Sequence, residues 1–383
     1  MTCRTSRAAD TTRKILAALR PGKLATARAS RQNVRVLPTR KPTRPRNGRK
    51  GLLNELLPRV LADGHLSTEE QLVREMVETC LKLLRDETRL GDVKLLNAAL
   101  RELRYAFKVF TPYRNIRKVS AFGSARLAQS SPPCRTAHEF ARRITAAGFM
   151  VITGAGHGIM QACQEGAGRD RSFGVNIRLP FEQQPNEFIS KDPKLLTFRY
   201  FFTRKLIFIK EADAAALFPG GFGTHDEAYE CLTLVQTGKT RPMPIVFLDA
   251  PRGTYWKTWK RYVEDHLLRK NLVSEEDLSL FKVTSSVDEA VEEISRFYRV
   301  YHSARTVGRD LAIRLARPLE RELVERLGRE FADIVVSGSI VQRSALSAEA
   351  DEPELAALPR LVFTFNRTNF GRLRQLIDRI NAG

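Results

Sequence analysis

The sequence predicts an α/β fold: a Rossmann-like parallel sheet with flanking helices, preceded by a helical pair and followed by a small α+β module. Three observations predict it. From residue 118 onward, short apolar runs alternate with amphipathic stretches, as strands do with crossover helices. Glycine-rich loops follow several of these runs directly, where a parallel sheet places its ligand sites. Hydrophobic residues make up 43% of the 383 residues, enough for a sizeable core.

We divide the chain into a basic tail at 1–50, a helical region at 51–115, the Rossmann-like domain at 116–302 and a C-terminal module at 303–383. The tail holds 15 of the 64 Lys and Arg residues and a single acid, Asp10, a composition typical of disorder. Three explanations stay open: a solvated tail, an extension translated from a wrongly chosen start, or an organelle transit peptide. Nucleic-acid binding is expected only through this tail, if at all.

The helical region shows two apolar stripes at helical spacing. Ser67 and Glu70 form a predicted capping box ahead of the first stripe. Gly91 and Asp92 are predicted to break the chain and start the second stripe, which runs to Phe110. We expect this helical pair to pack on the domain that follows.

The remaining elements follow from the same periodicities. We predict strands at 118–122, 149–153, 173–177, 214–218 and 243–248, and helices at 134–147, 159–167, 199–211, 224–236 and 255–268. In the C-terminal module we predict a helix at 318–330, a strand at 333–337, a linker at 347–357, a strand at 360–365 and a final helix. No chemical motif marks this module, so we expect it to serve packing or oligomerisation.

The composition argues against several classes of site. The five cysteines form no CxxC pair, and the six histidines show no HExxH spacing, so we expect no metal, no cofactor and a reducing, cytoplasmic compartment. No apolar run approaches the roughly 20 residues that a bilayer span requires, so we expect no membrane partner.

The most informative run is PGGFGTHDE at 219–227, which follows a predicted strand and opens a predicted helix. Three glycines let backbone amides approach a phosphate closely, and the helix start adds free N–H groups and a favourable dipole. The predicted phosphate ligands are therefore Gly220, Gly221, Gly223 and Thr224. The acid Glu227, fixed three residues past the threonine, makes a purely structural turn a poorer explanation.

Two further glycine loops follow the first and second strands. The first contains Gly123, Ser124 and Arg126, whose guanidinium can grip a phosphate. The second contains Gly154, Gly156 and Gly158. Three such loops at one sheet edge predict an anion-binding pocket lined by amides. The GxxxxGK[ST] loop of nucleoside triphosphatases does not occur.

These loops, together with the pair Arg204 and Lys205, carry a family resemblance. GSAR at 123–126, TGAGHGIM at 153–160, the Arg-Lys pair and PGGFGTHDE, in this order, resemble the Lonely Guy (LOG) family of nucleoside 5′-monophosphate phosphoribohydrolases, long mislabelled lysine decarboxylases. The resemblance covers about 185 residues and leaves out the tail and the last eighty or so. Two places depart from short family members: Phe202-Thr203 replaces His-Glu, and Gly154-Ala155-Gly156 replaces three glycines.

The resemblance implies that Arg204 and Glu227 are catalytic and that the PGGFGT glycines and threonine hold a phosphate, with Lys205 also at the nucleotide. The implied reaction is hydrolysis of the N-glycosidic bond of AMP or a related nucleotide by a homo-oligomer. The proton donor to the base stays open among Asp226, His225 and water. The alternative is a non-catalytic nucleotide or molybdenum-cofactor carrier, which needs the glycines but not both Arg204 and Glu227.

Overall fold

A computed structural model describes residues 57, 58, 60, 66–179 and 184–383 of the chain. The predicted tail at 1–50 therefore lies outside the described residues. The chain divides into two compact units, residues 1–86 and 87–383. Helix α1, Thr68–Arg85, belongs to the first unit and begins with the predicted capping box: the Glu70 amide donates to Ser67 Oγ over 3.3 Å, and the Ser67 amide to Glu70 Oε2 over 3.0 Å.

Helix α2, Leu90–Phe110, begins earlier than predicted. Gly91 and Asp92 lie in its first turn rather than at a break, so that prediction is wrong. The chain turns instead at Glu87, whose φ of 50° no helix adopts. The signal was missed because a glutamate is an unusual residue for a left-handed turn.

The rest of the second unit continues in regular alternation. Its elements are β1 Lys118–Phe122, α3 Pro132–Ala146, β2 Met150–Thr153, α4 Ile159–Ala167, β3 Ser172–Ile177, β4 Leu195–Phe198, α5 Phe201–Lys210, β5 Ala214–Leu217, α6 Phe222–Gln236, β6 Ile245–Leu248, α7 Tyr255–Tyr262, β7 Phe281–Thr284, α8 Val287–Phe297, β8 Tyr301–Val307, β9 Asp310–Leu315, α9 Arg321–Glu330, β10 Val335–Arg343, β11 Arg360–Phe365 and α10 Phe370–Ala382.

The main sheet confirms the predicted Rossmann-like class. Among the described residues, seven parallel strands are ordered β4-β3-β2-β1-β5-β6-β7. The chain winds outward from β1 in one direction and from β5 in the other, which creates a switch point between these two strands. Crevices at such a point, outside the carboxyl ends of the strands, are where open parallel sheets bind ligands.

Five of these strands were predicted, and β4 and β7 were missed together with α8. Both missed strands lie at an edge of the sheet and are only partly buried, so their sequences lack a continuous apolar run. The predicted helix at 255–268 is α-helical to Tyr262 and continues as a π-helical turn, Val263–Leu268.

The C-terminal module holds twice as many strands as predicted. In the described part of the chain its sheet is four-stranded and antiparallel, in the order β10-β11-β9-β8. The hairpin of β8 and β9 was missed because charged residues interrupt its apolar alternation. Helix α9 begins at Arg321, three residues later than predicted, and β10 runs on to Arg343.

Both faces of the main sheet are covered. Helices α2, α5, α6 and α7 pack on one face, where the rings of Phe110 and Phe173 stack with centroids 4.3 Å apart. Helices α3, α4 and α8 cover the other, where Phe140 meets Phe218. The predicted packing of the helical region on this domain thus holds for α2. The central strands are thus buried on both sides, which leaves their carboxyl ends as the accessible edge.

Candidate functional site

A cleft of about 780 Å³ opens at the carboxyl ends of β1, β2 and β5, at the switch point of the sheet. Most of the predicted site residues line it: Gly123, Ser124, Arg126, Gly154, Arg204, Gly220, Gly221, Gly223, Thr224, His225, Asp226 and Glu227. Three predicted residues, Gly156, Gly158 and Lys205, are not part of this lining. Loops distant in sequence therefore meet in one concave site, as the coincidence of strand ends predicts.

The loops after β1 and β5 are held in direct contact, and this contact requires glycine. The Ser124 amide donates to the Pro219 carbonyl over 3.1 Å. A Cβ at Gly220 would lie 2.1 Å from Thr224 Oγ1 and 3.0 Å from the Ser124 nitrogen. Any larger residue at position 220 would push these two loops apart.

Gly158 does not line the cleft but allows two of its loops to pack closely against each other. Its φ is 59°, and a Cβ there would lie 2.3 Å from the Ser124 carbonyl oxygen. That same oxygen accepts a hydrogen bond of 3.0 Å from the Ile159 amide at the start of α4. Gly158 thus lets the loop after β2 close onto the loop after β1.

The start of α6 presents free amides to the cleft. Its N-cap is Gly221, which has no side chain to offer a capping oxygen. The Gly221 carbonyl accepts from the amides of Thr224 and His225, over 3.0 and 3.2 Å. The amides ahead of them, of Phe222 and Gly223, have no acceptor within the helix. Together with the positive end of the helix dipole they form a site suited to an anion.

Glu227 lies one turn further along α6 and is 6% exposed. Its Oε2 atom is buried without a hydrogen-bond partner among the described residues. Burial raises the pKa of this carboxyl to about 7, against the opposing effect of the positive charges on Arg204 and Lys205. A buried, unpartnered carboxylate with a pKa near neutrality is the pattern of a functional group rather than of a structural one.

Arg204 approaches the cleft from α5. Its Nε donates to the Val175 carbonyl over 2.8 Å, which anchors the side chain to β3. Burial lowers the pKa of Arg204, and the nearby Glu227 carboxylate opposes that effect. A Cβ at Gly154 would lie 2.5 Å from Arg204 Nη2, so the glycine makes room for the guanidinium.

Lys205 does not line the cleft but forms ion pairs with two acids of α6. Its Nζ lies 2.8 Å from Asp226 Oδ1 and 3.0 Å from Glu230 Oε2, an ion-pair cluster that joins α5 to α6. Asp226, one of the possible proton donors, thus shares its carboxylate with a lysine. The other, His225, has its Nε2 2.7 Å from the Tyr255 hydroxyl, and burial lowers its pKa.

Sequence reasoning missed several residues at the site. Met160, Phe201, Phe222 and Tyr255 also line the cleft. The Tyr255 hydroxyl hydrogen-bonds to the Gly220 carbonyl as well as to His225. Tyr255 is the first residue of α7, the helix that follows β6. Because the other site loops also follow strands, the sequence did offer a signal for Tyr255.

Two polar side chains, one buried and one half-buried, support the loops from outside the cleft. Asn186, fully buried, donates from Nδ2 to the carbonyls of Ala155 and Gly156 over 3.1 and 2.8 Å. Glu102 of α2 accepts from the Thr203 hydroxyl over 2.7 Å and from the Arg199 amide over 2.9 Å. Neither stands in a recognisable motif, so only the fold could reveal them.

Other kinds of site were also sought. Within the described ranges no cluster of three or more His, Cys, Asp or Glu side chains could hold a metal ion. No helix in that part of the chain has the length and apolar character that a membrane span requires.

Comparison with known proteins finds a family model that the central segment resembles. Residues 158–294, a little over a third of the chain, match the family model described as "Possible lysine decarboxylase". This segment is therefore similar to the family that the glycine motifs resemble, and it includes the PGGFGTHDE run. No curated protein matches the sequence at a significant level.

Solved structures resemble the sheet only distantly. The molybdenum cofactor carrier protein of Chlamydomonas reinhardtii is 18% identical over 46% of this chain and 94% of its own, with a TM-score of 0.33. The molybdenum cofactor binding protein of Rippkaea orientalis is 16% identical over 46% of this chain and 93% of its own, with a TM-score of 0.31. DNA processing protein A of Helicobacter pylori is 13% identical over 48% and 82%, with a TM-score of 0.34. At these levels the likenesses say nothing about function.

Proposed function

We propose that this protein hydrolyses the N-glycosidic bond of a nucleoside 5′-monophosphate, AMP or a close relative, releasing the free base and ribose 5-phosphate. One observation carries the proposal: the buried, unpartnered carboxyl of Glu227 lies in the same cleft as the free amides that begin α6. A phosphate site alone would serve a carrier equally well. A buried carboxyl beside the phosphate site can stabilise the charge that develops as the glycosidic bond breaks.

The spacing along α6 fits such a substrate. With the phosphate at the amides of Phe222 and Gly223, Glu227 lies four to five residues further along α6, about 6–7.5 Å along the axis, since an α-helix rises 1.5 Å per residue. That is the scale of the separation between a 5′-phosphate and the ribose ring. The proposed pose therefore places the ribose over Glu227.

The chemistry follows from the charge that develops on the sugar. As the C1′–N bond breaks, the ribose takes on oxocarbenium character, which an ionised Glu227 stabilises electrostatically. Water adds its oxygen to C1′ and gives up a proton, and the base leaves with the electrons of the C1′–N bond and takes up a proton. His225, Asp226 or solvent water can deliver that proton. Arg204 is proposed to hold the substrate by its phosphate or hydroxyls.

Incubation of the purified full chain with AMP and with adenosine tests this function. We expect free adenine from AMP, and kcat/KM for adenosine lower by roughly a hundredfold or more, because adenosine lacks the group that the α6 amides bind. Equal kcat/KM for the two would contradict the phosphate site. Tight nucleotide binding without base release would instead support the carrier alternative.

A further inference from the structure

A second cavity of about 410 Å³ adjoins the cleft. It is lined by His225 of α6 and by Tyr255, Thr258, Trp259 and Tyr262 of α7, a surface that we name the aromatic shelf. His225 and Tyr255 line both the cleft and the shelf, so the two cavities are direct neighbours. Tyr255 is 37% and Tyr262 49% exposed, which leaves their rings open to a ligand.

The order of the strands fixes where the shelf lies relative to the proposed substrate. Arg204 is anchored to β3, the glycine loops follow β2, β1 and β5, and α7 follows β6. Passing along the sheet edge, one meets Arg204 first, then the phosphate site at the start of α6, and then the shelf. A nucleotide whose ribose lies on the Arg204 side has the shelf beyond its phosphate.

The phosphate site is open in that outward direction. A Cβ at Gly221 or at Gly223 would meet nothing within 4 Å, and Phe222 is 97% exposed. A phosphoryl group bound there can therefore carry a second substituent without a clash. Exposed tyrosine rings are suited to stacking a heterocyclic base.

We propose that the aromatic shelf binds the second base of a dinucleotide, in which the 5′-phosphoryl group in the cleft is joined through a pyrophosphate to another nucleoside. This inference rests on the proposed function and names its substrate class. The bond changes are the same: water adds to C1′ of the ribose over Glu227, the C1′–N bond of that ribose breaks, and the base leaves protonated. The pyrophosphate stays intact, and the second base acts only as an anchor.

The chain contains a built-in reporter for this site. Of its two tryptophans, Trp259 lines the shelf, and Trp256 is buried next to it, with its ring centroid 4.8 Å from that of Tyr255. A base that stacks on the shelf should change tryptophan emission. Calorimetric titration of the full chain with AMP, ADP and diadenosine 5′,5′-pyrophosphate gives the affinities, while emission reports where the ligand lies.

We expect the dinucleotide to bind about tenfold more tightly than AMP or ADP, a factor within the range that one stacked base contributes. ADP controls for the added phosphate alone. In Tyr262→Ala the advantage should fall about tenfold while AMP affinity is unchanged, because Tyr262 lines only the shelf. Tyr105→Ala is the matched control, since Tyr105 lies on α2 and is 45% exposed. It should change neither affinity.

Dinucleotide binding no tighter than that of ADP, or an advantage that survives Tyr262→Ala, would overturn the shelf proposal. If AMP is hydrolysed in that case, the proposed function stands alone. If the dinucleotide bound more tightly in a Tyr262-dependent way but neither it nor AMP were hydrolysed, the shelf proposal would stand. The proposed hydrolase activity would then be refuted. Failure of all three ligands to bind would refute both.

Discussion

Two buried glutamates, one in the cleft and one in the C-terminal module, show how differently this molecule uses the same side chain. Glu349 is 3% exposed and lies under β9 and β11, where it accepts from Arg314 over 2.7 Å, from Arg360 over 3.2 Å and from the Leu346 amide over 3.1 Å. Burial opposes its ionisation, but the hydrogen bonds from Arg360 and Arg314 prevail and lower its pKa. Glu227, 6% exposed, has an orphaned Oε2 and a raised pKa.

This difference shows how a buried carboxylate that stabilises the fold can be told from one that serves a function. A buried carboxylate that keeps all its partners holds a module together, and removing it leaves buried cations unpaired. A buried carboxyl oxygen without a hydrogen-bond partner costs folding free energy, which nearby positive charges offset only in part. We infer that such a cost is kept because a ligand or transition state supplies the missing partner. Two substitutions, Glu349→Gln and Glu227→Gln, and the pH dependence of each variant's stability test this contrast.

The largest expected effect is on folding, in Glu349→Gln. The substitution keeps the shape but leaves the buried guanidinium of Arg360 without its anion, and breaking a buried ion pair costs roughly 3–5 kcal/mol. Chemical denaturation should show that loss in the free energy of unfolding. Base release per folded molecule should stay normal, since Glu349 lies in the C-terminal module. Unchanged stability would mean that Glu352, also bonded to Arg314, suffices for the cluster.

The next largest effect is on catalysis, in Glu227→Gln. We expect kcat to fall by at least roughly a hundredfold, about 2.7 kcal/mol of transition-state stabilisation, the scale seen when one electrostatic stabiliser is removed. Nucleotide affinity should change little, because the lost charge acts mainly in the transition state. Steady-state kinetics and calorimetry separate the two quantities. Normal turnover of the variant would mean that Glu227 only interacts favourably with the dipole of α6. Loss of nucleotide binding would favour the carrier alternative.

The stability of the two variants should depend on pH with opposite signs. Folded protein holds the Glu227 proton up to about pH 7, whereas unfolded chain releases it near 4.5, so this group lowers stability as pH rises through that interval. At most about 3.5 kcal/mol is involved, from roughly 1.4 kcal/mol per pKa unit. Glu227→Gln should therefore raise Tm at pH 8 and leave it unchanged near pH 4.

Glu349 behaves in the reverse way. Because its folded pKa is lowered, it stabilises the protein above pH 4.5 and loses that effect as pH falls. The Tm deficit of Glu349→Gln should thus be largest at neutral pH and shrink on acidification. Thermal melts of both variants and the unmodified chain at pH 4, 6 and 8 provide the measurement. Parallel shifts in the two variants would contradict the contrast drawn between the glutamates.

The sequence predicted the centre of this molecule better than its edges. The buried central strands and the glycine loops were found because each is a contiguous local signal: an apolar run, or glycines directly after it. The edge strands β4 and β7 were missed since half-exposed strands lack that run. Asn186 and Glu102 act through contacts made across the fold, 30 and about 100 residues away in sequence, and no local pattern encodes those.

The smallest expected effect concerns Ala155, which occupies the middle of a loop where short family members carry three glycines. Its φ is 60°, a left-handed conformation that costs a non-glycine residue roughly 1–2 kcal/mol. Ala155→Gly relieves that strain but adds conformational freedom to the unfolded chain, worth roughly 0.5–1 kcal/mol in the opposite direction. We therefore expect the free energy of unfolding to change by at most about 1.5 kcal/mol, with normal base release. Gly158→Ala is the matched control: its φ is also positive, but a methyl there would lie 2.3 Å from the Ser124 carbonyl oxygen, so stability and activity should both fall. If Ala155→Gly were instead as damaging as Gly158→Ala, the strained alanine, and not only Asn186 beneath it, would be needed to shape the cleft.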